Sequence, residues 1–373
     1  MPADRPSSAR SAQPEPTPGT RPTGVIARDI DELVDTPLPW EQLFGTTVLI
    51  TGAGGMIPAY VARTLLRLND TRRAGIRVLG LVRDPSSARE VFSDVIDRDD
   101  FAIVQGDVSH PVRLDTHVDL VIHGASPARP HLHATAPVDT IRANVQGTLN
   151  LLELCRDAGG ARFVLMSSAE VYGRHPIEGG QGGLLTEDSY GAVDILNPRA
   201  SYTEGKRAAE TIAASYHAQY GIPITLARFG HIFGPGMALD DGRVQADFTA
   251  DVVAGRDITL HSDGSARRTY TYLADAVSGL FAALLLGADT AYNVSDRDGF
   301  VSIRELAEAF ARARPAAALR VGFREPTDAT RGTTALGAGL DDARLRALGW
   351  APHVGLEKGI DRTIAWHEER RSR

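Results

Sequence analysis

Residues 47–58 read Thr47-Val48-Leu49-Ile50-Thr51-Gly52-Ala53-Gly54-Gly55-Met56-Ile57-Pro58. A short apolar run ends in a glycine-rich turn, and a helical pattern over Ala59–Leu68 follows. Gly52, Gly55 and Pro58 keep the spacing glycine-x-x-glycine-x-x-glycine, with proline in the last place. Glycines there permit a tight turn and let backbone N–H groups approach a phosphate, while the helix N-terminus adds partial positive charge. Pro58 falls in the first helical turn, where its missing N–H costs little. A strand, a glycine turn and a helix in that order are the setting in which such a turn holds a dinucleotide pyrophosphate. Gly52, Gly54, Gly55, Met56 and Ile57 are its candidate contacts.

The same alternation continues along the chain. Apolar runs over Arg77–Val82, Phe101–Val104, Leu120–His123, Phe163–Ser167 and Ile224–Arg228 predict strands, and Thr140–Ala158 and Ser201–Tyr220 predict helices. Strands separated by helices imply right-handed crossovers and a parallel sheet. Their nearly continuous apolar character predicts burial on both faces. After Gly234-Pro235 the rhythm breaks into loops, short strands and short helices, including Ser302–Ala313 and Asp341–Leu348. The expected organisation is a tail over 1–24, an extension over 25–45, a dinucleotide-binding domain mainly over 46–233, and a smaller substrate lobe mainly over 234–373. The tail, rich in Pro, Ser, Thr and Arg, is expected to be disordered. It lacks the apolar block of a secretory signal, so the protein is expected to be cytoplasmic.

Composition narrows the function. The chain has 373 residues, 43% hydrophobic and 23% charged, with net charge −7. That balance argues against nucleic acid or a membrane surface as partner. The longest apolar stretches, such as Val277–Leu286, are too short to span a bilayer. A single cysteine, Cys155, excludes an internal disulfide or a cysteine-based metal site and reads as a buried thiol. His123, His131 and His133 lie close in sequence, but no His-Glu-x-x-His pattern appears and no metal is expected.

Ends of the predicted strands supply the remaining cofactor candidates. The second ends Leu81-Val82-Arg83-Asp84. An acidic residue at such a point takes the ribose hydroxyls of NAD, and an arginine suits the extra phosphate of NADP. Arg83 stands where acid is usual and Asp84 follows, so both cofactors stay open. Asp107 and Val108 end the third strand, where a carboxylate can accept from the adenine amino group. Ala125 and Ser126 follow the fourth, where small residues leave room for the nicotinamide half.

The fifth strand ends Met166-Ser167-Ser168-Ala169-Glu170, and Tyr202 and Lys206 lie four residues apart on one helix face. A phenol near an ammonium is expected to lose its proton more easily, as a base for alcohol oxidation requires. A serine hydroxyl facing the pair completes a set for taking a proton from a secondary alcohol as hydride leaves its carbon.

On these residues the chain resembles the extended short-chain dehydrogenase/reductases of the NAD-dependent epimerase/dehydratase family, which act on nucleotide sugars. The likeness runs from about Thr46 to His367. It includes Asn144-Val145-Gln146-Gly147-Thr148, the segment Arg228 to Pro235, Arg267-Arg268-Thr269-Tyr270, and Tyr292-Asn293-Val294. It implies a Rossmann doubly wound parallel sheet with a smaller C-terminal α/β substrate-binding lobe. It implies NAD as cofactor, a nucleotide-sugar substrate, and Ser168, Tyr202 and Lys206 as catalytic triad, with Tyr202 and Lys206 also touching the cofactor. Ser126, Arg129, His231, Arg243 and Arg268 become substrate contacts, Arg268 for the diphosphate. It further implies a homodimer built on the helices around Thr140–Ala158 and Ser201–Tyr220.

Within the family, Pro198 to Arg207, Gly234-Pro235-Gly236-Met237 and Asp241-Gly242-Arg243-Val244 are most similar to UDP-glucuronate decarboxylases. Three positions complicate that likeness. Ala169 replaces the decarboxylases' usual serine and the dehydratases' frequent aspartate, and resembles the 4-epimerases. Glu170 resembles the dehydratases and decarboxylases, and the likeness implies a fourth catalytic residue, a carboxylate that abstracts the C5 proton or positions the substrate. His231 replaces the usual asparagine. The ordering is therefore a decarboxylase-like enzyme first, a C4 epimerase second and a 4,6-dehydratase third. A non-catalytic nucleotide-binding regulator would be expected to lack the tyrosine or the lysine, and both are present.

Overall fold

The structure, a computed structural model, describes residues 24–127, 130–175, 183–288, 290–323 and 338–371. The expected tail up to residue 23 and Arg129 lie outside them. The extension before the first strand forms helix α1 (Val25–Val34) and a 3-10 turn over Trp40–Leu43. α1 buries Ile30, Leu33 and Val34, and Trp40 packs edge-on against Phe281 at 4.9 Å between ring centroids. Its buried Asp29 carboxylate accepts hydrogen bonds from Tyr60, Tyr272 and Arg362.

The chain then enters β1 (Thr47–Thr51), α2 (Met56–Arg72), β2 (Arg77–Val82), α3 (Pro85–Val91), β3 (Phe101–Gln105) and β4 (Leu120–His123). Next come α4 (Pro130–Thr135), α5 (Pro137–Asp157), β5 (Arg162–Ser168), the short β6 (Leu184–Leu185), α6 (Ala200–Tyr220) and β7 (Ile224–Phe229). Every predicted strand and helix here is present, with ends shifted by a few residues. The main sheet has seven parallel strands. β1 lies between β2 and β4, so the chain winds one way through β3 and then returns to the other side. The gap between β1 and β4 is the point at which ligands bind such sheets. Alternation buries both faces: Val48 and Ile50 pack with Leu65 on one side, and Leu49 packs with Leu151 and Ala209 on the other.

The seventh strand comes from beyond residue 234. After β8 (His231–Phe233), α7 (Val244–Val253), β9 (Ile258–Leu260), β10 (Arg267–Tyr272) and α8 (Leu273–Leu286), buried as far as Leu285, strand β11 (Ala291–Val294) returns to pair with β7. The smaller lobe is built on β8, β10 and β12 (Phe300–Ser302). Among the described residues, no helix is long and apolar enough to cross a membrane.

Candidate active site

Parallel registers bring the C-terminal ends of β1, β2, β4, β5 and β7 to one edge, above which lies a cleft of about 890 Å³. Its floor is the turn after β1. Gly52 has φ 66°, and a Cβ there would sit 2.8 Å from Ala125 Cα, so only glycine lets this turn lie against the loop after β4. Thr51 Oγ1 ties the two strands: it bonds His123 Nδ1 at 2.8 Å and accepts from the Ala125 N–H at 3.2 Å. Gly54, Gly55, Met56 and Ile57 line the cleft where α2 begins. An added Cβ at Gly54 would meet nothing within 4 Å. An open glycine cradle at a helix N-terminus, in a cleft of this size, fits a dinucleotide.

Arg83, Asp84, Asp107 and Val108 line one end of the cleft. The Asp84 carboxylate caps α3 by accepting the Ser86 N–H at 3.0 Å. Asp107 Oδ1 accepts from the Ser109 N–H at 2.9 Å and the Ser109 hydroxyl at 2.8 Å.

At the centre, α6 and the end of β5 meet. Gly205 lets α6 approach α5, since a Cβ there would lie 3.1 Å from Asn144 Cβ. Tyr202 hydrogen-bonds Ser168, and the Ser168 Oγ accepts the Glu170 N–H at 3.2 Å. Glu170, on the 3-10 turn Ala169–Tyr172, is exposed and lines the cleft beside them. Lys206 is buried, and its Nζ donates to the Met166 carbonyl at 2.7 Å. Burial pulls its pKa down to about 8, against the charge of Glu210.

The structure departs from the expected pairing of phenol and ammonium. The Lys206 ammonium does not lower the Tyr202 phenol. It is held by Met166 and stands 5.9 Å from the phenol ring centroid. Burial instead raises the Tyr202 pKa above its ordinary value, against the Ser168 hydrogen bond and the Arg243 charge.

The far end of the cleft holds His231, Arg243, Arg268 and Tyr270, with Ser126 on the near wall. Arg243 is paired with Asp241, while Arg268 donates only to the Arg267 carbonyl at 2.7 Å among the described residues. Burial, reinforced by Arg268 and Arg243, lowers the His231 pKa to about 3 and keeps its imidazole neutral. The Ser126 hydroxyl is buried with no hydrogen-bond partner among the described residues, which leaves it for a ligand.

The structure adds residues that sequence reasoning missed. His133 stacks on Tyr202 at 4.4 Å with rings 10° from parallel, and its Nε2 bonds the Pro127 carbonyl at 3.0 Å. Glu210, one turn beyond Lys206, takes the Ser167 hydroxyl at 2.5 Å and grips Arg228 through Nε and Nη2. Arg228 also bonds Tyr172, whose hydroxyl donates to Asn293. This buried network clamps α6 to β5, β7 and β11. Removing one partner of such a pair costs about 3–5 kcal/mol. The spacing of Lys206 and Glu210 was a signal for it, since residues four apart share a helix face. Nothing local to His133 points to Tyr202. Among the described residues, no group of three potential metal ligands occurs.

A glycine-turn cleft on a doubly wound sheet, facing a serine, a tyrosine and a lysine, defines an enzyme of dinucleotide-dependent alcohol–ketone chemistry. The pattern of the NAD dependent epimerase/dehydratase family matches residues 48–295, and the chain belongs to that family. It is 33% identical over 320 residues to UDP-glucuronic acid decarboxylase 3 of Arabidopsis thaliana, covering 84% of this chain and 86% of the relative. A dTDP-glucose 4,6-dehydratase from Bacillus anthracis in complex with NAD superposes with TM-score 0.72 at 19% identity, covering 88% of this chain and 98% of the other. A UDP-glucuronic acid 4-epimerase from Bacillus cereus, in complex with UDP-glucuronic acid and NAD, gives TM-score 0.70 at 20% identity, covering 88% and 100%.

Proposed function

We propose that this enzyme is a UDP-glucuronate decarboxylase-like lyase, which oxidises C4 of a nucleotide-linked hexuronate and releases its C6 carboxyl as carbon dioxide. The observation that carries the reading is the Ser168–Tyr202 hydrogen bond at the centre of a cleft that ends on Arg268. Arg268 has no carboxylate partner among the described residues and is available to a diphosphate. The similarity over 320 residues to a decarboxylase supports the choice of reaction.

The residues divide the work as follows. The glycine turn over Gly52–Gly55 and the start of α2 hold the dinucleotide pyrophosphate. When bound, the nicotinamide supplies the acceptor, and later the donor, of a hydride at C4. In its ionised form Tyr202 would take the C4 hydroxyl proton, and Ser168 would share a hydrogen bond with the forming carbonyl. Lys206 fixes the tyrosine-bearing helix to β5 through the Met166 carbonyl and would hold the nicotinamide ribose of a bound cofactor. Once C4 is a ketone, the carboxylate on C5 is β to it. The C5–C6 bond breaks, its electron pair becomes the enolate, and C5 then takes a proton. Glu170, at the rim, orients the substrate for this step. Arg243 and His231 contact the sugar, and Arg129 is proposed as a further contact. The active form is a homodimer packed through α5 and α6.

A C4 epimerase is the second reading, favoured by Ala169, which places no acid beside Ser168. Incubating the purified enzyme with UDP-glucuronate, UDP-glucose, UDP-N-acetylglucosamine and dTDP-glucose, with products analysed by mass, separates the readings. Loss of carbon dioxide from UDP-glucuronate supports the proposal. Unchanged mass with inversion at C4, or loss of water, overturns it.

A further inference from the structure

Arg83, the first residue past β2, is exposed and lines the adenosine end of the cleft. It makes no ion pair among the described residues, although its charge helps hold the Asp107 carboxyl below its ordinary range. The carboxylate next to it, Asp84, is engaged at the N-terminus of α3 with the Ser86 N–H. Ser87, in the first turn of α3, also lines the cleft. Gly54, which lines the same cleft, leaves open space, with nothing within 4 Å of a built Cβ. A guanidinium with no ion pair among the described residues and a hydroxyl thus line the same cleft as the glycine turn.

We infer that this chain takes a nicotinamide dinucleotide with a 2′-phosphate on its adenosine ribose, and that Arg83 is the ligand of that phosphate. A ribose diol is neutral and calls for a hydrogen-bond acceptor. A phosphate monoester carries nearly two negative charges and calls for a cationic donor, which the planar guanidinium fork matches. The inference rests on the dinucleotide reading of the cleft, and it separates this chain from structural neighbours in complex with NAD.

Full-length protein is stripped of nucleotide and titrated calorimetrically with NADP+ and with NAD+ at one fixed salt concentration. The nucleotide released on denaturing untreated protein is identified by mass. A charge-assisted hydrogen bond predicts NADP+ binding about 10- to 100-fold tighter than NAD+. Arg83→Gln, at an exposed site, should leave the melting temperature unchanged and collapse the ratio of the two affinities towards one. NAD+ binding as tightly as NADP+ in the wild type overturns the inference, as does an unchanged ratio in Arg83→Gln. Binding of neither nucleotide overturns the dinucleotide reading itself, so the two failures are distinguishable.

Discussion

Replacing Gly52 by alanine, with Gly54→Ala as its control, tests the construction of the cofactor turn. At Gly52 two costs add. Its φ of 66° is left-handed, which costs an L-residue with a Cβ about 1–2 kcal/mol. The new Cβ would also stand 2.8 Å from Ala125 Cα and 2.9 Å from Ala125 N, backbone atoms that cannot rotate away. Forcing β1 and the loop after β4 apart is an overpacking cost of about 1–3 kcal/mol. Together these amount to about 2–5 kcal/mol of stability. Gly54 has neither penalty, so its alanine variant should stay within about 0.5 kcal/mol of wild type. Chemical denaturation followed by tryptophan fluorescence reads both variants, and dinucleotide titration reads the turn directly. Gly52→Ala should show a lower midpoint at an unchanged m-value and lose nucleotide affinity. Equal midpoints for the two variants would refute the close-approach reasoning.

Tyr202→Phe removes only the phenolic oxygen, so turnover should fall on the order of 100-fold or more while dinucleotide affinity holds; wild-type-like turnover would sink the mechanism. Glu170→Gln should slow the step after C4 oxidation without blocking the oxidation, read as transient reduced nicotinamide by rapid-scan absorbance. An unchanged rate with no solvent deuterium at C5 would instead favour the epimerase. His123 is kept neutral by burial and by the Lys206 charge, with its pKa lowered to about 3. Its stabilising contribution is complete above its unfolded value near 6.5 and is lost as pH falls from there towards 3. His123→Asn should therefore flatten the dependence of the denaturation midpoint on pH between about 6 and 4, by up to about 1.4 kcal/mol per pH unit. An identical slope would show that His123 is protonated in the folded protein. Sedimentation at micromolar concentration checks the homodimer, and a monomer would contradict it.

Much of the site was legible in the chain because its signals are local. The run Thr47–Thr51, the glycines that follow and the start of α2 lie within a dozen residues, and steric rules alone restrict what they can form. Tyr202 and Lys206 share a helix face through helical periodicity. Ser168, Arg83, Asp107 and Ala125 were found because strands of a parallel sheet end on one edge. The expected lowering of the Tyr202 phenol failed because spacing along a helix says nothing of where an ammonium points. The Met166 carbonyl, on another strand, holds Lys206.

The sequence by itself determined the element types, the two-sided burial of the sheet and the chemical groups at the strand ends, because each follows from periodicity or turn sterics over a few residues. Only the tertiary structure decided which faces meet. It stacked His133 on Tyr202, closed the Glu210–Arg228–Tyr172–Asn293 network behind β5, and drew Tyr60, Tyr272 and Arg362 onto Asp29. Tyr272 and Arg362 lie 243 and 333 residues from Asp29 along the chain. A local pattern shows which side of an element avoids water. It carries no record of the partner that covers that side, since the partner is selected by packing and charge among all elements at once.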